Sequence, residues 1–326
     1  MIRKLVLLVA LMGTSASLGG CATSHSWKGT PSATVTPKLA SSATLVLTST
    51  AFPTSTAIPS TTPTAVPALP VEEARARLLE LLSDNGGCSL PCLWGITPGK
   101  STYQEAETIL RPLSSVSDHT SFIPGVGSLL PTYTEGDMKL SVVLAYLFTH
   151  DGVVSKVAFT ARETEQVISN NERISFPVFD SPSFAERAGY YMLPRLLSEQ
   201  GIPTSVMIAT EGGPLRNMEV GNFLIVLLYP DEGIWANYET QRHLIGSNVR
   251  GCPSPSNAHV ELELFPSGNS GQFYELLGQT DWAVKEGWYK PLEEVTSMSV
   301  EEFHQTFRQP TGGCIDTPAE LWPEPS

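Results

Sequence analysis

Leu140-Ser141-Val142-Val143-Leu144-Ala145-Tyr146-Leu147-Phe148, Thr149-His150-Asp151-Gly152, then Val153-Val154-Ser155-Lys156-Val157-Ala158-Phe159-Thr160 is the stretch on which the fold turns. Two runs of β-branched and aromatic residues flank four residues of turn chemistry, and that combination reads as an antiparallel hairpin. The pattern returns at Phe223–Tyr229 and Ile234–Tyr238, around Pro230-Asp231-Glu232-Gly233. Ser205–Ala209 reads as a short strand. His259–Phe265 reads as an alternating edge strand, with Val260, Leu262 and Leu264 on one face and Glu261 and Glu263 on the other.

Each hairpin follows helical sequence. After Pro70, VEEARARLLELLSD carries acids in its first turn, an apolar face of Ala74, Leu78, Leu81 and Leu82, and a stop at Asn85-Gly86-Gly87. Ser101-x-x-Gln104 predicts a capping box for a second helix. Ser183-x-x-Glu186 predicts another, for a helix that Pro194 kinks or splits before Gly201. Short helices are expected at Gln272–Leu277 and Val300–Phe307, the latter capped by Ser299 and Glu302. The expected class is therefore α+β, with helices packed on an antiparallel sheet in two helix-plus-hairpin cycles.

Charge divides the chain. Of 326 residues, 33 are acidic and 20 basic, a net charge of −13. No acid and only Arg3, Lys4, Lys28 and Lys38 among the bases precede position 71, so 71–326 carries 16 bases against 33 acids, a net −17. This acidity argues against a nucleic-acid partner, whose phosphates require clustered cations.

The first 20 residues read as a signal peptide: a basic start, the apolar run Leu5–Met12, then small residues. Leu18-Gly19-Gly20-Cys21 resembles the bacterial lipobox. That resemblance implies cleavage before Cys21, a diacylglycerol thioether on its thiol and acylation such as palmitate on the new amine. The expected location is the extracytoplasmic face of the cell membrane, with the membrane itself the partner of Cys21. Between Thr23 and Pro70, 34 of 48 residues are Ser, Thr, Pro or Ala. Recurrent Pro blocks helix and ladder alike, so 21–70 is expected to be a disordered tether, whose hydroxyls permit O-glycosylation. The folded part is expected over 71–326, with a subdivision near 165–182.

Cys88-Ser89-Leu90-Pro91-Cys92-Leu93-Trp94-Gly95-Ile96-Thr97-Pro98-Gly99 resembles the opening of a family of uncharacterised extracytoplasmic bacterial lipoproteins. Thr280-Asp281-Trp282, Pro291-Leu292-Glu293-Glu294 and Glu301-Glu302-Phe303 are similar to that family's C-terminal part. The family implies location and fold but no chemistry. Gly95-Ile96-x-x-Gly99-x-x-Thr102, and Leu196-Leu197 leading to Gly201-Ile202-Pro203, resemble BamE/SmpA-like and β-lactamase-inhibitor-protein-like modules, which are binding or assembly proteins without catalysis.

With Cys21 lipidated, Cys88, Cys92, Cys252 and Cys314 remain, an even number suited to two disulfides in an exported domain. Three connectivities exist, of which Cys88–Cys92 with Cys252–Cys314 is favoured. The rival for the CxxxC pair is redox or copper chemistry. No HExxH, glycine-rich phosphate loop or close His/Cys cluster occurs, so neither a metal nor a cofactor is expected. Gly268-Asn269-Ser270-Gly271 is one residue short of G-x-S-x-G and reads as a turn. Trp282, Trp288 and Tyr289, beside Asp281 and Lys285, form the aromatic cluster that suits stacking on a sugar or peptide, with core packing as the alternative. No catalytic residue emerges. The expected function is a non-catalytic binding or envelope-interaction module whose partner is an envelope protein or a wall polymer. The alternatives are a surface hydrolase assembled from distant segments, or a CxxxC metal or redox protein.

Overall fold

A computed structural model describes residues 66–322 apart from 124, 150, 170–171, 212–220, 281–287 and 311. The signal peptide, Cys21 and most of the tether lie outside the described residues. The described chain falls within the unit Thr62–Ser326. Leu69 N already donates to Pro112 O at 3.0 Å, so backbone before Pro70 is laid against the domain.

Twelve strands form one sheet in which every pairing is antiparallel. They are β1 (Ser117–Ile123), β2 (Val126–Glu135), β3 (Met138–Phe148), β4 (Val154–Ser169), β5 (Glu172–Pro177) and β6 (Ser205–Glu211), then β7 (Gly221–Tyr229), β8 (Ile234–Ile245), β9 (Asn248–Gly251), β10 (His259–Leu264), β11 (Lys290–Pro291) and β12 (Ile315–Pro318). Their order is β1-β2-β3-β4-β10-β8-β7-β6-β11, with β5 beside β4, β9 beside β8, and β12 beside β9.

The α+β expectation of two helix-plus-hairpin cycles is therefore corrected: the fold is predominantly antiparallel β. Among the described residues the helices are few and short. They are α1 (Val71–Asp84), α2 (Tyr103–Leu110), α3 (Pro182–Ala188), α4 (Leu193–Gln200), α5 (Ser270–Thr280), α6 (Leu292–Val295) and α7 (Val300–Phe307). Sequence periodicity misses β1, β2, β5, β9, β11 and β12: β9, β11 and β12 have four residues or fewer, too few for alternation to register, and β1 and β2 are rich in Ser and Thr. Their apolar alternation is weak because they are only partly buried.

Register shows how the two faces differ. Val142, Ala161, Val260, Tyr238, Ile225 and Ile208 lie side by side across six strands and are all buried. This face meets Leu78, Leu81 and Leu82 of α1, Leu110 of α2, Phe184 of α3, Leu196 and Leu197 of α4, and Phe303 and Phe307 of α7 in one cluster. Val260, Leu262 and Leu264 are completely buried there, each contributing about 2 kcal/mol by removal from water.

β10 is the largest departure from expectation. It is not an edge strand but the central one, joining β4 on one side to β8 on the other. The long segment between β8 and β10 is what brings it there. At the β7–β8 turn Gly233 has φ 73°, and a Cβ on it would sit 2.3 Å from Phe265 O. Only glycine lets the turn pass so close to the end of β10.

Helix starts also shift. Thr102, not Ser101, caps α2: Thr102 Oγ1 accepts from Glu105 N at 3.3 Å and Glu105 Oε2 accepts from Thr102 N at 2.7 Å. Ser101 Oγ instead accepts from Thr97 N at 2.9 Å. Ser181 caps α3, ahead of Pro182 in the first turn, and Ser183 lies inside the helix. The expected break before Pro194 is present as a short 3-10 turn, Gly189–Tyr191, between α3 and α4. The Ser299–Glu302 box of α7 is as predicted.

Candidate functional site

The four described cysteines pair as Cys88–Cys92 and Cys252–Cys314, with Cα separations of 5.8 and 4.1 Å. The second bond joins the chain just after β9 to the chain just before β12, covalently reinforcing the β9–β12 pairing.

The Cys88–Cys92 loop is organised by Asn85, which ends α1 in the left-handed conformation at φ 59° and is fully buried. Its Nδ2 donates to Cys88 O at 2.7 Å and Cys92 O at 2.8 Å. Its Oδ1 accepts from Trp94 N at 3.1 Å and from Tyr191 OH at 3.0 Å. Trp94 Nε1 donates to Tyr191 OH at 2.9 Å, and Tyr190 OH donates to Cys88 O at 3.0 Å. Burial pushes the Tyr191 phenol up, so it stays protonated and available as a donor. The CSLPCLWG motif is thus wired to the turn between α3 and α4, about a hundred positions away. Sequence reading saw Asn85 as a helix stop and had no signal for its side-chain role.

The second constellation lies on the other face of the sheet. Adjacent to the apolar row, Val143, Thr160, Glu261, Asn237, Val226 and Met207 are lateral neighbours. Along β10 this face presents His259, Glu261 and Glu263, since side chains alternate. His259 Nδ1 hydrogen-bonds Glu239 Oε2, and Lys156 Nζ lies 2.6 Å from Glu263 Oε1. Between these pairs, Glu261 has only Asn237 Nδ2 at 3.5 Å. Burial raises the Glu261 carboxyl; His259 lowers it, Glu263 raises it, and Asn237 and Glu239 add smaller opposing effects. Sequence alternation sends these acids to solvent. The structure half-buries them because β10 is central and this face is partly covered by Phe265 and, from α5, Phe273.

β4 and β8 part company beyond His259. β4 continues with β5 and β8 with β9, and a small cleft of about 40 Å³ opens at the fork. Arg162, Glu163, Pro177, Val178, Phe179, Glu239 and His259 line it. Glu163 is buried and held by Ser181 Oγ and by Arg187 Nη1 at 3.2 Å, which leaves it a structural carboxylate. The acid–histidine pair Glu239–His259 has no Ser, Thr or Cys among the lining residues to activate.

Of the aromatic cluster, Trp282 lies outside the described residues, as do Asp281 and Lys285. Trp288 and Tyr289 are half-buried, and Tyr289 packs against Val226, Leu228, Trp235, Phe265 and Phe273. His304 is buried, with Nε2 3.1 Å from Leu197 O, while His119 and His243 are exposed. His150 lies outside the described residues. Among the described residues no group of three His, Cys, Asp or Glu side chains is placed to hold a metal ion, and no helix is long and apolar enough to cross a membrane. Comparison with protein-family models, with curated proteins and with solved structures finds no match to this chain.

Proposed function

We propose that the chain is a lipoprotein, anchored at the extracytoplasmic face of the cell membrane through Cys21, whose 71–326 part is an interaction module for an envelope protein. The observation that carries the reading is Leu18-Gly19-Gly20-Cys21 at the end of a signal-like segment. Two pairs of bonded cysteines downstream support export, because disulfides persist in oxidising compartments. An acidic domain of net −17 has no electrostatic attraction to anionic headgroups, so acyl chains are what hold it, each buried CH₂ adding about 0.8 kcal/mol. Exposed Val167 and Phe176 on one face of the β4–β5 hairpin, with exposed Ile168 on the other, support a protein partner.

The test is metabolic labelling with a fatty acid, followed by membrane fractionation, for the full-length protein and its Cys21→Ser variant. The wild type takes up label and sediments with membranes. The variant stays unlabelled and either keeps its signal or appears in the soluble extracytoplasmic fraction. Equal labelling and retention of the two would refute the anchor.

A further inference from the structure

We propose that Cys88 and Cys92 form a thiol–disulfide exchange site for extracytoplasmic protein dithiols, with Cys92 the sulfur that is attacked and Cys88 the sulfur that leaves. This goes beyond the anchoring and interaction reading and stands or falls separately from it.

The two sulfurs are not equivalent. Gly95 N–H donates to Cys88 Sγ at 3.4 Å, while Asn85 Nδ2, 3.6 Å from the same atom, directs its two hydrogens to the carbonyls of Cys88 and Cys92. No such donor is recorded at Cys92 Sγ among the described residues. N–H groups directed at sulfur stabilise negative charge on it, and the thiol of lower pKa is the better leaving group. When Cys88 instead carries a proton, Asn85 O is 3.4 Å away to accept its S–H. The Cys88 sulfur therefore has partners in the disulfide, thiolate and thiol states.

The loop is held by hydrogen bonds as well as by the covalent bond. Asn85 Nδ2 holds both cysteine carbonyls, Tyr190 OH holds that of Cys88, and Cys92 N donates to Ser89 O at 3.0 Å. Leu93 and Ile96 exchange backbone hydrogen bonds at 2.9 and 2.8 Å immediately downstream. None of these bonds involves sulfur. A reversible pair needs this, since neither oxidation state then requires refolding. Both cysteines are partly exposed, and Gly86, Gly87, Ser89 and Gly95 around them are exposed, which gives a macromolecular thiol a line of approach. Cys252–Cys314 has a different setting: its cysteines are 62 positions apart, and it ties two paired strands together.

The exchange balances as follows. A partner thiolate attacks Cys92 Sγ; the partner–Cys92 bond forms, the Cys88–Cys92 bond breaks, and the electron pair comes to rest on Cys88 Sγ beside the Gly95 N–H. Cys88 takes up one proton through solvent. The partner's second thiolate then attacks the partner sulfur of the mixed disulfide and releases Cys92, which takes up the other proton. The partner is oxidised to a disulfide, this pair is reduced to two thiols, and the partner's two protons are conserved. A second protein disulfide restores the pair by the reverse steps.

Two measurements test this. Full-length protein in detergent is equilibrated across a series of reduced and oxidised glutathione ratios, quenched with acid, alkylated and mapped by peptide mass. Near-ultraviolet circular dichroism is recorded on the same samples. Cys88–Cys92 is expected to become reduced, and to reoxidise on return, at ratios that leave Cys252–Cys314 bonded and the dichroism unchanged. If both pairs reduce together, or Cys88–Cys92 opens only as the dichroism is lost, the exchange site is overturned. The second measurement compares iodoacetamide alkylation of Cys88 in the Cys92→Ser variant with that of Cys92 in the Cys88→Ser variant across pH. Cys88 is expected to react about threefold faster at pH 7 for each unit by which its pKa is the lower, because a tenfold gain in thiolate is partly offset by reduced nucleophilicity. Coincident or reversed profiles would overturn the assignment of leaving sulfur.

Discussion

Replacing Asn85 with Ala would remove the buried clasp between α1, the Cys88–Cys92 loop and Tyr191. The side chain makes four hydrogen bonds, two donated to Cys88 O and Cys92 O and two accepted from Trp94 N and Tyr191 OH. At about 1 kcal/mol for each neutral bond, the loss comes to about 4 kcal/mol. Ala must also adopt φ 59°, where a Cβ costs about 1 kcal/mol more, so the total is about 5 kcal/mol. Asn85→Gly loses the same bonds without the backbone penalty and should fall about 1 kcal/mol short of the Ala variant. Domains of this kind are stable by only about 5–15 kcal/mol, so either variant is expected to be visibly weakened. Equilibrium unfolding in guanidinium, followed by tryptophan fluorescence, reads both values, with Trp94 reporting directly on the network. A loss below about 2 kcal/mol for the Ala variant would refute the clasp, and equal losses for Ala and Gly would refute the backbone part.

Three further outcomes concern the disulfides and two carboxylates. Removing Cys252 and Cys314 together, as Ser, should cost about 4 kcal/mol of chain entropy in the long loop, against about 2 kcal/mol for Cys88 and Cys92 in the short one. Urea unfolding midpoints of the two double variants check the order, and a larger loss from the short loop would contradict it. Glu261→Gln should stabilise the domain above neutral pH and leave stability near pH 3 unchanged. The raised carboxyl of Glu261 means that the folded state binds a proton more tightly than the unfolded chain. Stability is therefore lost as pH rises from the ordinary carboxylate range through the raised value. Thermal midpoints across pH, compared between wild type and variant, should diverge upward from that window; parallel curves would count against a buried, raised Glu261. Asp316 works in the opposite sense: the Arg250 fork holds it below the ordinary range, at 2.6 and 2.7 Å, so its contribution is present above that range and fades as pH falls through its lowered value. The pair is exposed and the contribution small.

Local signals read well where the determinant is short-range. The Ser299–Glu302 box, the stop at Asn85-Gly86-Gly87 and the hairpin around Pro230–Gly233 each depend on residues within a turn of one another. Errors by one or two residues arose where two capping residues compete, as with Ser101 and Thr102, or Ser181 and Ser183, because a hydroxyl can cap from either register. The site was far less legible. Asn85 gives no sign in sequence of meeting Tyr191, and Glu261 and Glu263 look like the solvent face of an edge strand.

Alternation along His259–Leu264 determined by itself that Val260, Leu262 and Leu264 share one face and His259, Glu261 and Glu263 the other, since a pleated strand has a period of two. The cysteine count and its export context pointed towards two disulfides in the same way. Which strands lie beside β10, and so whether its acids meet water or Asn237, Lys156 and Glu239, was decided only by the tertiary structure. Strand neighbours are chosen by contacts just over a hundred positions apart in the chain, between Glu261 and Thr160 or between Glu263 and Lys156. Periodicity carries no information over that distance. The central place of β10 turns a solvent-facing acidic alternation into a half-buried ionic row, just as Tyr191 turns a helix-stop asparagine into the clasp of the cysteine loop.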